Sequence, residues 1–431
     1  MTEQRPWKRA VLWIVLLGAF FFASYGFANW LASRRSDVGT VVFGWEHAIP
    51  FLAWTIVPYW SIDLLYGLSL LLCTTRRELD RHAQRLLAAQ LISITCFIAF
   101  PLRFSYDRPT VTGFFGTLFA ALVSFDKPFN QAPSLHISLL VVIWDRLSEH
   151  CARPWRWVLH AGMVLIGLSI LTTYQHHFID LPTGLAAGFL VLWLFPENEQ
   201  SPLRRLAFTA DRVRRRVAAR YALGAVIVTA VACQGGAWLW LFWPAGSLAL
   251  VALNYAATGA RGFQKGAGGR LSLGASYLFA PYLAAAWTNS RLWTRHHPAP
   301  AAVLDGVSIG RIPTTSDLAS SSFGAVVDLA AELPCGAPAD RFYRSVPVLD
   351  LTVPGTNELR VAAQAIEEGR QRGTVLVCCA LGYSRSAAAI IAWLLTTRRA
   401  ETVGAAIQIV RQARPSIVLR NEHSAALEAF A

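Results

Sequence analysis

The residues with the most chemical promise lie in Val375-Leu376-Val377-Cys378-Cys379-Ala380-Leu381-Gly382-Tyr383-Ser384-Arg385-Ser386. A β-branched apolar stretch ends in a cysteine, a five-residue loop containing a glycine follows, and an arginine opens a segment of helical composition. A strand, loop and helix in that order gather loop amides and a helix N-terminus into an anion nest. The same field favours thiolate over thiol in a cysteine so placed, and an arginine at the loop's end can hold phosphate oxygens bidentately. The parts serve one reaction, in which the Cys379 thiolate attacks phosphorus and water later hydrolyses the cysteinyl-phosphate. Asp350, closing Val348-Leu349-Asp350 at the end of an expected strand, is the candidate proton donor to the leaving group.

A second constellation stands far upstream. Pro133-Ser134-Leu135-His136 opens one apolar run, and His176-His177-Phe178-Ile179-Asp180 opens another. An imidazole four residues before a carboxylate on one helix face is oriented by it and can attack phosphorus, while His136 is available as the general acid. Arg103, Arg108 and Lys127, in the segment Arg103–Pro133, are candidate cations for the phosphate oxygens. Neither chemistry calls for a metal or a cofactor.

These residues need elements to hold them, and composition says what kind. Of 431 residues, 54% are hydrophobic and 15% charged, against about a quarter charged in ordinary soluble chains. Apolar runs at Val11–Ala32, Pro50–Cys73, Leu86–Leu102, Leu135–Trp144, Trp155–Tyr174 and Phe178–Phe195 give six candidate membrane spans, the first an uncleaved anchor. Tyr221–Ala257 reads as a helical hairpin turning near Gln234-Gly235-Gly236, and Leu271–Thr288, interrupted by Pro281, as a re-entrant or interfacial segment. Thirty-nine Lys and Arg against 26 Asp and Glu leave a charge of +13. The excess sits as arginine clusters beside apolar runs, the pattern of the positive-inside rule rather than of nucleic-acid binding. Arg5/Lys8/Arg9, Arg76–Arg85, Arg153/Arg156 and Arg204–Arg220 fall on one, cytoplasmic, side, and both histidine clusters on the other. The seven cysteines are scattered and have neither disulfide-framework nor zinc spacing.

Beyond Thr294 the character changes. A His- and Pro-containing linker leads into a soluble α/β domain, with strands expected at Val307–Ile309, Ala325–Leu329, Val346–Leu351 and Thr374–Cys378 and helices at Asn357–Gln371 and Ser386–Thr397. The expected organisation is therefore a membrane domain over residues 1–200, a basic linker with an additional hairpin and interfacial segment over 201–294, and a cysteine phosphatase domain over 295–431.

Two resemblances sharpen this. "PSLH" and "HHFID" followed by "LPTG" resemble the type 2 phosphatidic acid phosphatase superfamily, particularly its inositol phosphorylceramide synthase branch, over about residues 50–196. The resemblance implies a six-helix core with His176 as nucleophile, Asp180 as its orienting carboxylate, His136 as acid and Ser134 as a phosphate contact. Arg108-Pro109 is similar to the end of that superfamily's first motif, whereas Ile170 stands where its arginine is usual. "CALGYSRS" resembles the signature loop of the dual-specificity branch of the protein tyrosine phosphatases. "DGVSIGRIP", "VPVLD" and "RPSIVLRN" look like that branch's opening strand, acid loop and late helix. Here the implied roles are Cys379 nucleophile, Arg385 phosphate clamp, Gly382 in the phosphate-binding loop, Ser386 assisting thiolate departure and Asp350 general acid. Cys378 replaces the histidine usual before the nucleophile.

The expected function is a bifunctional multi-pass phosphatase of the plasma (inner) membrane. Its histidine site acts on a membrane phospholipid or lipid phosphate at the outer face, and its cytoplasmic cysteine site on a phosphorylated protein or phosphoinositide-type substrate. Transfer of a phospho-headgroup at the histidine site is the alternative within enzymology. A receptor or scaffold that only binds phosphorylated ligands is the alternative outside it.

Overall fold

The computed structural model describes residues 5–197, 201–336 and 340–431, so the domain boundary expected at residue 200 lies outside the described residues. The chain divides into two compact units, Met1–Ser201 and Pro202–Ala431. Among the described residues three helical stretches are long and apolar enough to cross a membrane: Trp7–Ser33, Arg153–Thr172 and Gly236–Phe263.

The first unit is helical: α1 (Trp7–Ser33), α2 (Ile56–Leu71), α3 (Arg76–Ala99), α4 (Gly113–Phe125), α5 (Leu135–His150), α6 (Arg156–Thr172) and α7 (Asp180–Leu194). The sequence reading treats Arg103–Pro133 as loop. Its uncharged Gly113–Phe125 stretch is instead α4, which buries Phe119 and Leu122. α3 starts ten residues before the apolar run expected for it, because Thr75 caps it by accepting from the Glu78 amide.

α5 and α7 are packed side by side, and small residues make this possible. A Cβ added at Gly184 would lie 2.7 Å from Ile137 Cβ and 2.8 Å from the Ser134 carbonyl oxygen, and one at Gly188 2.7 Å from Val141 Cβ. This i, i+4 glycine pair brings two helix backbones into close approach. The Ser134 amide donates to the Asp180 carbonyl at the N-terminal ends. At the C-terminal ends Arg146, 1% exposed, binds Glu78, Glu149 and Glu197, and Arg85 binds Asp145 and Glu197. The two helices therefore run parallel, with a paired charge cluster at one end and the histidines at the other.

The second unit opens with α8 (Arg212–Ala232) and α9 (Phe242–Leu253), joined through a turn at Gly235-Gly236 and a 3-10 stretch. α10 (Leu273–Leu278) and α11 (Ala280–Trp293) meet at Phe279, just before Pro281. Then come β1 (Ala301–Leu304), β2 (Val307–Arg311), α12 (Thr315–Ala319), β3 (Ala325–Ala330), β4 (Phe342–Val348), α13 (Thr356–Arg370), β5 (Val375–Cys379), α14 (Arg385–Thr396), α15 (Val403–Ala413) and α16 (Asn421–Phe430). β1 pairs antiparallel with β2 inside the stretch expected as linker, and the order β1-β2-β5-β3-β4 is otherwise parallel. Such strands are covered on both faces and read as continuous apolar runs, as β5 does. Val375, Val377 and Cys379 enter the core under α13 and α14, whereas Leu376 and Cys378 enter the opposite one with Leu318 and Cys335. "RPSIVLRN" is not a helix. Pro415 and two β-branched residues, with Ile417 buried, make it the connection between α15 and α16.

Candidate active sites

Cys379 ends the central strand β5, at the carboxyl edge where parallel sheets place ligands. The chain then turns through Gly382 at φ +74, where an added Cβ would lie 2.5 Å from the Gly310 carbonyl. Only glycine fits so close to β2. The turn aims the Gly382 amide at Cys379 Sγ (3.2 Å), and Ser386, in the first turn of α14, sets its hydroxyl 3.4 Å from the same sulfur. Val418 donates its backbone N–H to the Tyr383 carbonyl, and His423 Nε2 sits 2.8 Å from Ser384 Oγ, so the connection 414–420 and the first turn of α16 brace the loop.

Arg385 is 2% exposed and fully engaged at its terminal nitrogens. Nη1 donates to Glu332 Oε2 (2.9 Å) and the Val348 carbonyl (2.8 Å), and Nη2 donates to Glu332 Oε1 (2.7 Å) and lies 3.0 Å from Asp350 Oδ1. A bidentate carboxylate fixes the plane of a guanidinium, so Glu332 orients Arg385. Burial works against the Glu332 charge, but Arg385 outweighs it and holds the carboxyl below the usual carboxylate range. Asp350 stands the other way. Enclosure by neighbouring atoms raises its proton affinity, Arg385 opposes, and the Glu332 charge reinforces the rise, while about a third of its side-chain surface stays open to solvent. It lies in the turn after β4 rather than on the strand itself. Cys378 faces away from Cys379 against Cys335, and burial pushes its thiol well up, which leaves it a packing residue.

Sequence reasoning missed Glu332 and three residues that precede the domain. Lys265 Nζ is buried and binds Asp328 together with the carbonyls of Ala330 and Leu333 (2.7 Å each), pinning the loop that carries Glu332. Tyr255 donates to the Asp350 carbonyl (3.0 Å), and Ser290 of α11 donates to the Ala380 carbonyl. A lysine within a small-residue segment was the available signal for the first; the others carry none.

In the first unit the histidines meet as well. His176 Nδ1 lies 3.0 Å from Asp180 Oδ2 and its Nε2 3.3 Å from Ser134 Oγ. The pair does not share one helix as the spacing argument supposes. His176 and His177 lie in the turn before α7, held by the His176 amide donating to the Ile170 carbonyl (3.1 Å), and Asp180 is the first helical residue. His177 is consumed differently: Nδ1 faces Glu46 (3.1 Å), Nε2 accepts from the Ser105 amide (3.1 Å), and the ring stacks on Phe104. With Nδ1–H directed at Asp180, His176 turns its Nε2 lone pair toward the Ser134 hydroxyl. His136 stacks on Tyr59, with ring centroids 4.4 Å apart, and its buried Nε2 has no hydrogen-bond partner among the described residues, as is true of Asp180 Oδ1.

His136 and His176 line one cleft with Asp63, Asp126, Asn130 and Tyr25. The expected cations stand apart from its lining. Arg108 donates to the Tyr174 carbonyl and lies over the Phe119 ring, while Arg103 and Lys127 are exposed. Among the described residues no group of three or more His, Cys, Asp or Glu side chains is arranged to hold a metal ion.

Comparison with known proteins bears on the second unit. Residues 310–431 match the family described as "Dual specificity phosphatase, catalytic domain", whereas no phosphatidic acid phosphatase family match is found. Mouse "Dual specificity protein phosphatase 19" is 39% identical over 79 residues, 17% of this chain and 34% of that protein. The chain thus spans about a third of that relative's length. The crystal structure of human DUSP28 shares 25% identity over 31% of this chain and 93% of its own, with a TM-score of 0.29. A mouse putative dual specificity phosphatase shares 28% over 31% and 86%, also at 0.29. Residues 310–431 are a dual specificity phosphatase catalytic domain, and the chemistry of such a domain is phosphoric monoester hydrolysis.

Proposed function

We propose that the chain is a bifunctional membrane phosphatase with two separate phosphoryl-transfer sites. The observation that carries the cysteine site is the convergence of the Gly382 amide and Ser386 hydroxyl on Cys379 Sγ, beside Arg385 held by Glu332. The thiolate attacks phosphorus, an S–P bond forms as the P–O bond of the ester breaks, and Asp350 gives its proton to the leaving oxygen. Arg385 and the loop amides hold the phosphoryl oxygens as charge builds on them. The Asp350 carboxylate then takes a proton from water, which attacks phosphorus. Phosphate departs with the broken S–P bond, and the Ser386 hydroxyl stabilises the returning thiolate. A full set of reacting groups argues against a module that only binds phosphorylated ligands.

At the histidine site the resemblance to type 2 phosphatidic acid phosphatases supplies the reading. His176 Nε2 attacks the phosphorus of a lipid phosphate, Asp180 steadies the imidazolium, His136 protonates the leaving oxygen, and water completes hydrolysis. Transfer to an alcohol is the second reading, favoured by the carboxylates and amide of Asp63, Asp126 and Asn130 in the cleft, which bind hydroxyls better than they bind phosphate. Basic clusters beside apolar runs support a multi-pass protein of the inner membrane with the cysteine domain in the cytosol. Purified full chain assayed on aryl phosphate and on lipid phosphates tests the proposal. Cys379→Ser should remove the first activity and His176→Ala the second. Retention of aryl phosphatase by the Cys379 variant, or loss of both activities in a folded His176 variant, contradicts it.

A further inference from the structure

The catalytic apparatus around Cys379 is tied at three points to residues that precede the family domain. Tyr255 lies in the 28-residue apolar stretch Gly236–Phe263 and holds the carbonyl of the general acid Asp350. Lys265 follows directly and pins the loop of Glu332, and α11 binds the phosphate loop through Ser290 and through its Trp293 carbonyl, which accepts from Tyr383 Oη. A helix of membrane length therefore ends within one hydrogen bond of the general-acid turn.

The surface beside the loop is apolar where a water-facing enzyme would be polar. Trp293 is 68% exposed, Val418 53% and Leu351 46%. Each adjoins catalytic backbone: Trp293 and Val418 bond Tyr383, and Leu351 follows Asp350. Trp287 and Leu292 of α11 are exposed as well. Clustered exposed aromatic and aliphatic side chains mark contact with another apolar phase, and tryptophan favours the bilayer interface. Exposed Arg420, whose charge acts on Asp350, and exposed Arg270 and Arg295 add the cations that an anionic headgroup layer attracts.

We propose that the substrate of Cys379 is a lipid phosphomonoester presented at the bilayer surface, its acyl chains staying in the membrane while its headgroup phosphate enters the loop. The proposal rests on the reading of the cysteine site as a phosphomonoesterase and narrows its substrate. Reaction at this site transfers the phosphoryl group from the headgroup oxygen to Cys379 Sγ and then to water, with Asp350 first giving and then regaining the proton.

The test uses full chain carrying His176→Ala, so that lipid turnover lost on adding Cys379→Ser belongs to this site. Three phosphomonoesters are compared: a phosphoinositide in phosphatidylcholine vesicles, its water-soluble deacylated headgroup, and a phosphotyrosine peptide, with aryl phosphate as reference. Vesicle lipid should exceed both soluble substrates in kcat/KM by about tenfold or more, about 1.4 kcal/mol of added transition-state binding. Trp287→Gln with Leu292→Gln should erase that advantage while aryl phosphate turnover is kept. Equal rates on lipid and headgroup overturn the proposal, as does faster turnover of the phosphopeptide. Absence of Cys379-dependent aryl phosphatase instead sinks the cysteine reading itself, a result distinguishable from failure of the lipid assignment.

Discussion

On the proposed function, the two sites would meet the same chemical problem with opposite architectures. The cysteine site draws nucleophile, amides and clamp from eight consecutive residues, Cys379 to Ser386, at the edge of a parallel sheet. The histidine site assembles the ends of separate helices, with Ser134 and His136 at α5, His176 and Asp180 at α7, and Glu46 and Ser105 fixing the neighbouring His177. A continuous loop keeps its geometry as long as its strand and helix exist. A site between helix ends depends on every contact that sets helix spacing. The difference teaches where each is vulnerable: the first through its own atoms, the second through packing far from the chemistry.

The largest expected effect comes from removing a nucleophile. Cys379→Ser should lower aryl phosphate turnover by roughly 10³-fold or more, on the scale of losing a catalytic nucleophile, and leave lipid hydrolysis by the histidine site intact. His176→Ala should produce the mirror image, and steady-state rates on both substrates read the exchange. Equal loss in both assays would break the comparison by showing one coupled site.

Next is the orienting carboxylate. Glu332→Gln keeps the shape but removes the charge that fixes Arg385, and kcat/KM on aryl phosphate should fall by about 10²-fold, the scale of losing one preorganised partner. Mere structural damage would instead appear as a lower unfolding temperature with the remaining activity unchanged per folded molecule.

Packing should matter only on the helical side. Gly184→Val places a branched side chain against Ile137 and the Ser134 carbonyl, at a cost of about 1–3 kcal/mol for overpacking. Activity at the histidine site should drop while aryl phosphate turnover holds. Unchanged lipid turnover would mean that α5–α7 spacing does not set the His136–His176 geometry.

The smallest effect is one of pH. Asp350 must be protonated to donate, and enclosure raises its proton affinity. Turnover of a poor leaving group should therefore fall as pH rises through the Asp350 pKa, and Asp350→Asn should flatten that limb. A good leaving group needs little proton donation and should show only a shallow limb.

How much of this was legible from sequence follows from the same contrast. Cys379, Arg385 and the loop glycine could be read because their relation is local, and a strand–loop–helix pattern leaves little freedom, whereas Ser386 was reached only through the resemblance. Asp350 was legible as a carboxylate after a strand, although its strand ends at Val348. Glu332, Lys265 and Tyr255 were not, since their partners lie 53, 63 and 95 residues away and nothing local marks them. The four-residue spacing to Asp180 favours His176 over His177 in the sequence. What the sequence does not show is that Glu46 and Ser105, brought from other elements, hold the His177 ring in place. α4 escaped notice because its apolar run is too short to cross a membrane, and β1 because Pro298 and Pro300 beside it read as linker.

The most direct test of the claim that the two nucleophiles are independent is to find where the phosphoryl group rests. Full chain is quenched during aryl phosphate turnover, and its peptides are analysed by mass spectrometry. The account predicts a phosphoryl adduct on the peptide containing Cys379, unchanged in the His176→Ala chain and absent from Cys379→Ser. An adduct on the His176 peptide under these conditions, or one that survives Cys379→Ser, would contradict it.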